Sequence, residues 1–125
     1  MGAQEDLAQA LVGRWDGQVE FPTGVFGRIL IIRSLEQKDG KWVLTAAYGP
    51  KGRGLSPVRD ASIETTGREV LLKLKVPDGA DRRMFPMELT LLKDGKHLVG
   101  TIYLAAGARG GSTRPAKFEK AEAAQ

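Results

Sequence analysis

Residues 13–21, Gly-Arg-Trp-Asp-Gly-Gln-Val-Glu-Phe, alternate small or apolar residues with polar ones along their whole length. Successive side chains of a strand point to opposite faces, so this period of two predicts a strand with one buried face and one solvated face. The residues before it have a different pattern. Residues 3–12 have a helix-forming composition, with apolar residues at helical spacing and acidic residues near the start. We therefore expect one short helix that ends near Gly13, since glycine often follows the last turn of a helix.

Seven further segments have alternating or β-branched composition and are separated by turn residues. They are Val25–Leu35, Lys41–Tyr48, Val58–Thr66, Glu69–Val76, Met84–Lys93, His97–Ala105 and Arg114–Lys120. Asp-Gly pairs at 39–40 and 94–95 favour tight hairpins, because these residues tolerate the positive φ that such turns require. The predicted strands do not alternate with helices, so we do not expect a parallel sheet. Gly49–Pro57, with three glycines and two prolines, is expected to be a loop.

The sequence thus predicts a single all-β domain over residues 1–125, with residues 121–125 as a flexible tail. About eight antiparallel strands in sequence can close into an up-and-down barrel. An open sandwich with the same strand order is the alternative.

Composition limits the kinds of functional site and the cellular locations to be expected. The chain has no cysteine, which excludes disulfides, thiolate catalysis and cysteine-based zinc sites. The longest apolar run, Ile29–Ile32, is far shorter than the ~20 residues of a membrane-spanning helix. Residues 3–5, Ala-Gln-Glu, are typical of the start of a mature exported chain. We expect a periplasmic or secreted protein whose signal peptide has been removed, with a cytoplasmic protein as the alternative.

Gly13-Arg14-Trp15, just after the expected helix, resembles the Gly-x-Trp signature of lipocalins and the wider calycin group. The opening LVGRWDGQVE and the closing LVGTIYLAAGARGGSTRPAKFEK also resemble small lipocalin-like domains of secreted bacterial proteins. The resemblance covers about residues 7–120 and implies a barrel. It also implies a basic residue near the last strand that packs over Trp15, with Arg114 and Lys117 as the two candidates. The central Thr-Asp-Tyr motif of the family is missing, and the disulfide of many members cannot form.

Six aromatic residues are expected inside the barrel, as core residues first and as ligand contacts second. They are Trp15, Phe21, Trp42, Tyr48, Phe85 and Tyr103. An eight-stranded barrel is just wide enough to be filled by its own side chains or to hold one small ligand.

Connections in a meander alternate between the two ends of the barrel, so the loops sort into two groups. The turns Lys38–Lys41, Thr66–Arg68 and Lys93–Lys96 are tight and share one end. The other end receives Pro22–Gly24, Gly49–Pro57, Pro77–Arg83 and Ala106–Thr113. Those longer loops carry the basic residues Lys51, Arg53, Arg82, Arg83 and Arg109, opposed by Asp78 and Asp81. The pattern predicts one closed end and one open, basic mouth.

A basic barrel mouth favours binding over chemistry. Arginine holds a carboxylate or phosphate through paired hydrogen bonds, so we expect a non-enzymatic binding protein for an amphipathic anion such as a fatty acid or lipid. The alternative is a filled barrel that acts as an interaction or accessory domain. The single histidine, His97, has no second histidine to help it bind a metal, and no nucleophile–base pair or phosphate loop is recognisable. We expect no catalytic residue, metal, cofactor or nucleic-acid partner, since the basic loops lack the aromatic residues that stack on bases.

Overall fold

The computed structural model describes residues 9–21, 24–52, 54–66, 69–78, 83–103 and 113–121. These residues form nine strands. The strands are β1 Gly13–Phe21, β2 Gly24–Lys38, β3 Lys41–Pro50, β4 Ser56–Pro57, β5 Arg59–Thr66, β6 Glu69–Asp78, β7 Arg83–Leu91, β8 His97–Tyr103 and β9 Thr113–Lys120.

The nine strands form one sheet in the order β4-β3-β2-β1-β9-β8-β7-β6-β5. Every pairing is antiparallel, and the first strand pairs with the last. The sheet curls into a nearly closed barrel, so the prediction of an all-β, up-and-down barrel is confirmed.

The barrel approaches closure through one continuous stretch, residues 56–66, which supplies both ends of the sheet. Its start, β4, pairs with Ala47 and Tyr48 of β3, and the backbone N–H of Val58 donates to the carbonyl of Ala46 at 3.0 Å. Its remainder, β5, pairs with β6. Because β4 and β5 follow one another with only Val58 between them, the nine strands occupy eight positions around the barrel, the number expected.

The prediction of a loop over Gly49–Pro57 is therefore wrong at both ends of that segment. β3 continues to Pro50, and Ser56 and Pro57 form β4. Gly49 and Pro50 pair with Ile29 and Arg28 of β2, and Ser56 and Pro57 pair with Tyr48 and Ala47 of β3. Proline is compatible with an edge position where its missing N–H is not needed.

The N-terminal helix is short in the described part of the chain. Residues 9–11 are helical, Val12 is not, and residues 3–8 of the expected helix lie outside the described residues. Gly13 has a φ of +140° and begins β1. No helix among the described residues has the length and apolar character needed to cross a bilayer.

One face of each main strand lines the barrel and forms a continuous core. Trp15 and Val19 of β1 are fully buried, as are Met87 and Leu89 of β7. We call the end that carries the helical turn and the hairpin turns at 39–40 and 93–96 the closed end. The opposite end, where the β1–β2 hairpin turns and where β7 and β9 begin, is the open end.

Candidate functional site

The closed end is built around Trp15, which is fully buried. Its indole Nε1 donates to the carbonyl of Leu11 at 2.9 Å, which satisfies the buried N–H and ties the helical turn to β1. Lys120, at the end of β9, lies opposite Trp15 in the β1–β9 register. Its ammonium lies 5.8 Å from the centre of a Trp15 ring and donates to the carbonyls of Gln9 at 2.8 Å and Ala10 at 2.9 Å.

The basic residue over Trp15 is thus Lys120, and the two candidates named from the sequence, Arg114 and Lys117, are wrong. Lys117 alternates with the buried Ala116 and Phe118, so it lies on the outer face. Arg114 shares the inner face with Lys120 but lies at the other end of β9.

Of the six aromatic residues expected inside the barrel, Trp15 and Tyr48 are almost completely buried. Trp42 and Phe85 are half-buried and pack against the core. Phe118 is not among the six aromatic residues predicted to lie inside the barrel. It is 1% exposed and contacts Tyr48 edge-to-face, with ring centres 6.5 Å apart. The alternation of Ala116 and Phe118 in the last segment is the signal that could have identified it. The side chain of Phe21 lies outside the described residues.

Tyr103 faces outward, contrary to the expected interior position. It follows the fully buried Ile102, so alternation places it on the opposite face. Its hydroxyl donates to the Glu88 carboxylate at 3.1 Å. This hydrogen bond, followed by burial and by the negative charge of Glu88, raises the pKa of Tyr103.

The expected basic mouth is only partly within the described residues. Arg53, Arg82 and Arg109 lie outside them. Arg83 begins β7 at the open end and is exposed. Lys51 lies on the outer side of the rim: its backbone N–H donates to the carbonyl of Gly27 at 3.2 Å, and its aliphatic chain covers that glycine.

Two other arginines, Arg28 and Arg114, occupy the inner face at the open end. Arg28 lies opposite Gly17, which shares the inner face of β1 with Trp15 and Val19. Its Nη1 donates to the carbonyl of Gly27 at 2.9 Å, and its guanidinium lies 5.6 Å from the centre of the Phe26 ring.

Arg114 is the second residue of β9 and lies opposite the fully buried Ile102. Among the buried side-chain nitrogen and oxygen atoms of the described residues, its Nε is the one without a hydrogen-bond partner. Alternation with Ala116 and Phe118 was the available signal for Arg114. Arg28 directly precedes the apolar run Ile29–Ile32, where alternation gives no signal.

Solvent reaches an inner-face side chain at the rim of the open end. Phe26 lies opposite Val19, which places it on the inner face, yet it is 40% exposed. Farther from the rim, the inner-face residues Val19 and Ile102 are fully buried, as is Trp15 at the closed end.

The outer face carries paired charges. Lys73 contacts Glu64 at 2.9 Å and Lys75 contacts Asp60 at 3.3 Å. The hydrogen bond from Lys73 to Glu64 raises the pKa of that lysine. Exposed pairs of this kind are typical of a solvated surface, and no group of carboxylates and histidine able to hold a metal occurs among the described residues.

His97 lies on the outer face at the closed end, where its Nδ1 is 2.6 Å from a carboxylate oxygen of Asp94. Asp94 also accepts a hydrogen bond from the backbone N–H of Lys96 at 2.8 Å. These two hydrogen bonds, that from Lys96 first, lower the pKa of Asp94. The contacts fix the β7–β8 turn, and they place His97 at the opposite end of the barrel from Arg114.

A shallow depression of about 320 Å³ also lies on the outer face, across β1, β8 and β9. Its lining mixes the cations Lys51 and Lys117 with the carboxylates Asp16 and Glu119. A mixed lining gives little selectivity for either sign of charge, so the inner face at the open end is the better candidate site for an anion.

No protein-family model, curated protein or solved structure matches this chain. The resemblance to lipocalins therefore remains a prediction from the Gly-x-Trp motif, and the barrel itself stands on the strand pairing.

Proposed function

We propose that this protein is a non-enzymatic binding protein for a small amphipathic anion, such as a fatty acid. The observation that carries the proposal is the buried, unpartnered Nε of Arg114 on the inner face of the barrel at its open end. The acidic head group of the ligand would bind at Arg114, and its apolar chain would extend toward the core.

A carboxylate at Arg114 would give this Nε the hydrogen-bond acceptor that it lacks. A buried hydrogen-bond donor without a partner costs about 1–3 kcal/mol, and more when it is charged. A carboxylate can accept two parallel hydrogen bonds from one guanidinium, which adds direction as well as energy. Arg28, on the strand at the other side of β1, adds positive charge to the same inner face.

The inner face next to Arg114 suits an apolar chain. Ala116, the next inner-face residue of β9 after Arg114, has a small apolar side chain. Toward the closed end, Trp15, Tyr48 and Phe118 are almost completely buried and form a packed floor. This floor limits the depth of the site, so a short or medium alkyl chain is favoured over a long one.

The position of the single histidine, His97, supports binding without catalysis. The chain has one histidine, and it contacts Asp94 on the outer face at the closed end. A general base must lie within hydrogen-bond reach of the group it deprotonates. His97 does not meet this requirement for a ligand held at Arg114.

Calorimetric titration with laurate tests the proposal. We expect wild-type protein to bind laurate and Arg114→Met to bind it roughly ten- to a hundredfold more weakly, the loss expected for a charge-assisted hydrogen bond. Lys117→Met, on the outer face of the same strand, is the matched control for loss of one positive charge and should bind as the wild type does. Dodecanol, which has no carboxylate, should bind both proteins equally.

Two results would overturn the proposal. One is equal laurate affinity of the Arg114→Met and Lys117→Met variants. The other is no laurate binding by the wild type, which would favour the alternative of a filled barrel that acts through protein contacts. Thermal unfolding of the Arg114→Met variant without ligand should occur at or above the wild-type temperature, because the substitution removes a buried nitrogen that has no hydrogen-bond partner.

A further inference from the structure

The rim of the open end carries an unusual pair of exposed apolar side chains. Val25 is 57% exposed and Phe26 is 40% exposed, and they are adjacent in β2 beside the β1–β2 turn. Adjacent strand residues point to opposite faces, so the hairpin presents apolar surface on both sides at once. The other large exposed apolar residues among the described ones, Val43 and Leu92, are separate from each other in sequence.

Basic side chains surround this pair. The guanidinium of Arg28 lies over the Phe26 ring, and Lys51 is exposed beside Gly27. Lys117 is exposed on the outer face and lines the same small depression as Val25. Glu20, directly opposite Val25, is the carboxylate of this depression. Glu20 is thus the one carboxylate among the described residues that line the depression with Val25, while Asp16 and Glu119, which line the neighbouring depression with Lys51 and Lys117, do not line this one.

We infer that the open rim docks on an anionic lipid surface, with Val25 and Phe26 entering the apolar layer and Lys51 and Lys117 contacting the head groups. Partial insertion of apolar side chains combined with attraction between basic residues and acidic lipids is sufficient for reversible surface binding. Each basic residue close to such a surface strengthens binding about fivefold. The positive charge around an apolar tip favours a lipid surface over a second copy of this chain, whose tip carries the same charge.

Docking at this rim would place the open end of the barrel against the source of an amphipathic ligand. The inference to that extent rests on the proposed function, because a lipid surface supplies ligands of the class that Arg114 would hold. The act of docking is a separate event that needs no ligand in the barrel, so the two claims can fail independently.

Vesicle co-sedimentation tests the docking. Wild-type protein is mixed with vesicles of phosphatidylcholine alone or of phosphatidylcholine with phosphatidylglycerol. We expect binding to the anionic vesicles that weakens as salt rises, because surface attraction is screened. Val25→Asp should reduce binding by at least about tenfold, since it places a charge at the inserted position.

Val43→Asp is the matched control, because it makes the same change at an exposed outer-face position near the closed end. It alters the net charge equally and should leave vesicle binding within about twofold of the wild type. Val25→Ser, which adds no charge opposite Glu20, serves as a second variant if Val25→Asp unfolds. It should weaken binding in the same direction.

Equal loss of binding in the Val25→Asp and Val43→Asp variants would overturn the inference, as would failure of the wild type to sediment with anionic vesicles. A dimer in solution that Val25→Ser dissociates would instead assign the rim to a second copy of the chain. Laurate titration without vesicles separates the claims: Val25→Asp should retain laurate affinity. Loss of laurate binding by the wild type with vesicle binding intact would contradict the proposed function alone.

Discussion

Lys120 joins three parts of the chain at one ammonium group. It ends β9, lies against Trp15 of β1, and donates to two carbonyls of the helical turn at residues 9–11. Carbonyls at the end of a helical turn have no partner within the helix, and a nearby cation is well placed to satisfy them. The residue therefore fastens the turn over the closed end of the barrel.

Lys120→Met should lower the free energy of unfolding by about 1–3 kcal/mol, because two charge-assisted hydrogen bonds and the contact with Trp15 are lost. Urea unfolding followed by the fluorescence of the two tryptophans measures the change. Lys117→Met, on the exposed face of the same strand, should change the value by less than about 0.5 kcal/mol. Equal effects of the two substitutions would show that Lys120 does not fasten the turn.

The identity of this lysine could not be predicted from the sequence alone. Alternation places Arg114 and Lys120 on the same face as Phe118 and places Lys117 on the other. The choice between Arg114 and Lys120 depends on the β1–β9 register, in which Trp15 lies opposite Lys120. That register pairs strands from the two ends of the described chain, so the sequence of neither strand determines it alone.

Tyr103 gives a test of the outer face that depends on pH. Its pKa is raised, and the hydrogen bond to Glu88 is the largest cause. The neutral hydroxyl is the form that donates, so the contribution to stability is complete below the ordinary tyrosine value of 10.0 and is lost as pH rises through the folded-state pKa. Glu88→Gln should bring the Tyr103 pKa down toward that ordinary value.

A pH titration of the tyrosine ring resonances measures this shift, with Tyr103→Phe identifying the signal that belongs to Tyr103. An unchanged Tyr103 titration in the Glu88→Gln variant would contradict the assigned hydrogen bond. It would also reopen the question of which face of β8 this side chain occupies.

Among the structural elements, β7 and β8 approach each other closely at Gly100. A Cβ built on Gly100 would overlap the backbone carbonyl of Glu88, which cannot move aside as a flexible side chain could. The two strands would have to separate, in the middle of the barrel wall. Glycine at this position is therefore a condition of the close pairing between β7 and β8.

Gly100→Ala should lower the free energy of unfolding by at least about 2 kcal/mol, because overpacking against backbone is relieved only by moving a strand. Chemical unfolding gives the value. Gly54→Ala, at an exposed position with nothing within 4 Å of its added Cβ, is the control and should change stability by less than about 0.5 kcal/mol. A loss of less than about 0.5 kcal/mol in the Gly100→Ala variant would mean that β7 and β8 lie farther apart than in this structure.

The hairpins show how far turn chemistry can be predicted. At 39–40 the Asp-Gly pair adopts a φ of 51° at Asp39 and of 76° at Gly40, the positive values expected from the residues. At the second Asp-Gly pair only Gly95 has a positive φ, of 70°. There the N–H of Gly95 donates to the carbonyl of Leu92, and the side chain of Asp94 accepts from Lys96, which produces a longer turn. Both Asp-Gly pairs thus form hairpins, but only the pair at 39–40 forms the tight turn with two positive φ angles. At 94–95 the Asp94 side chain competes for backbone donors.

At the scale of the whole molecule, the meander and its two unlike ends follow from the order of strands and turns. Eight segments with period two and short connections leave few arrangements other than an up-and-down barrel. The short β4 could not be predicted, because its two residues are ordered by pairing with Ala47 and Tyr48 rather than by their own pattern. Local composition at Gly49–Pro57 indicates a loop, and pairing with β2 and β3 overrides it.

The candidate site differs in its residues from the basic mouth that the sequence predicts. The sequence placed basic groups at the open end on loop residues, of which Lys51 and Arg83 are described and the others lie outside the described residues. The inward arginines Arg28 and Arg114 are strand residues instead. Alternation with Ala116 and Phe118 indicates the inner face for Arg114, whereas the face of Arg28 is fixed by its register with Gly17 of β1.

The central claim is that an amphipathic anion binds inside the barrel at Arg114, and nuclear magnetic resonance with laurate tests it most directly. The account predicts that the side-chain Nε–H signal of Arg114 shifts on titration, together with the backbone amides of Gly100 and Ala116 beside it on the inner face. Shifts confined to outer-face residues such as Lys117 and Val99, with the Arg114 signal unchanged, would contradict the claim and assign the binding to the barrel surface.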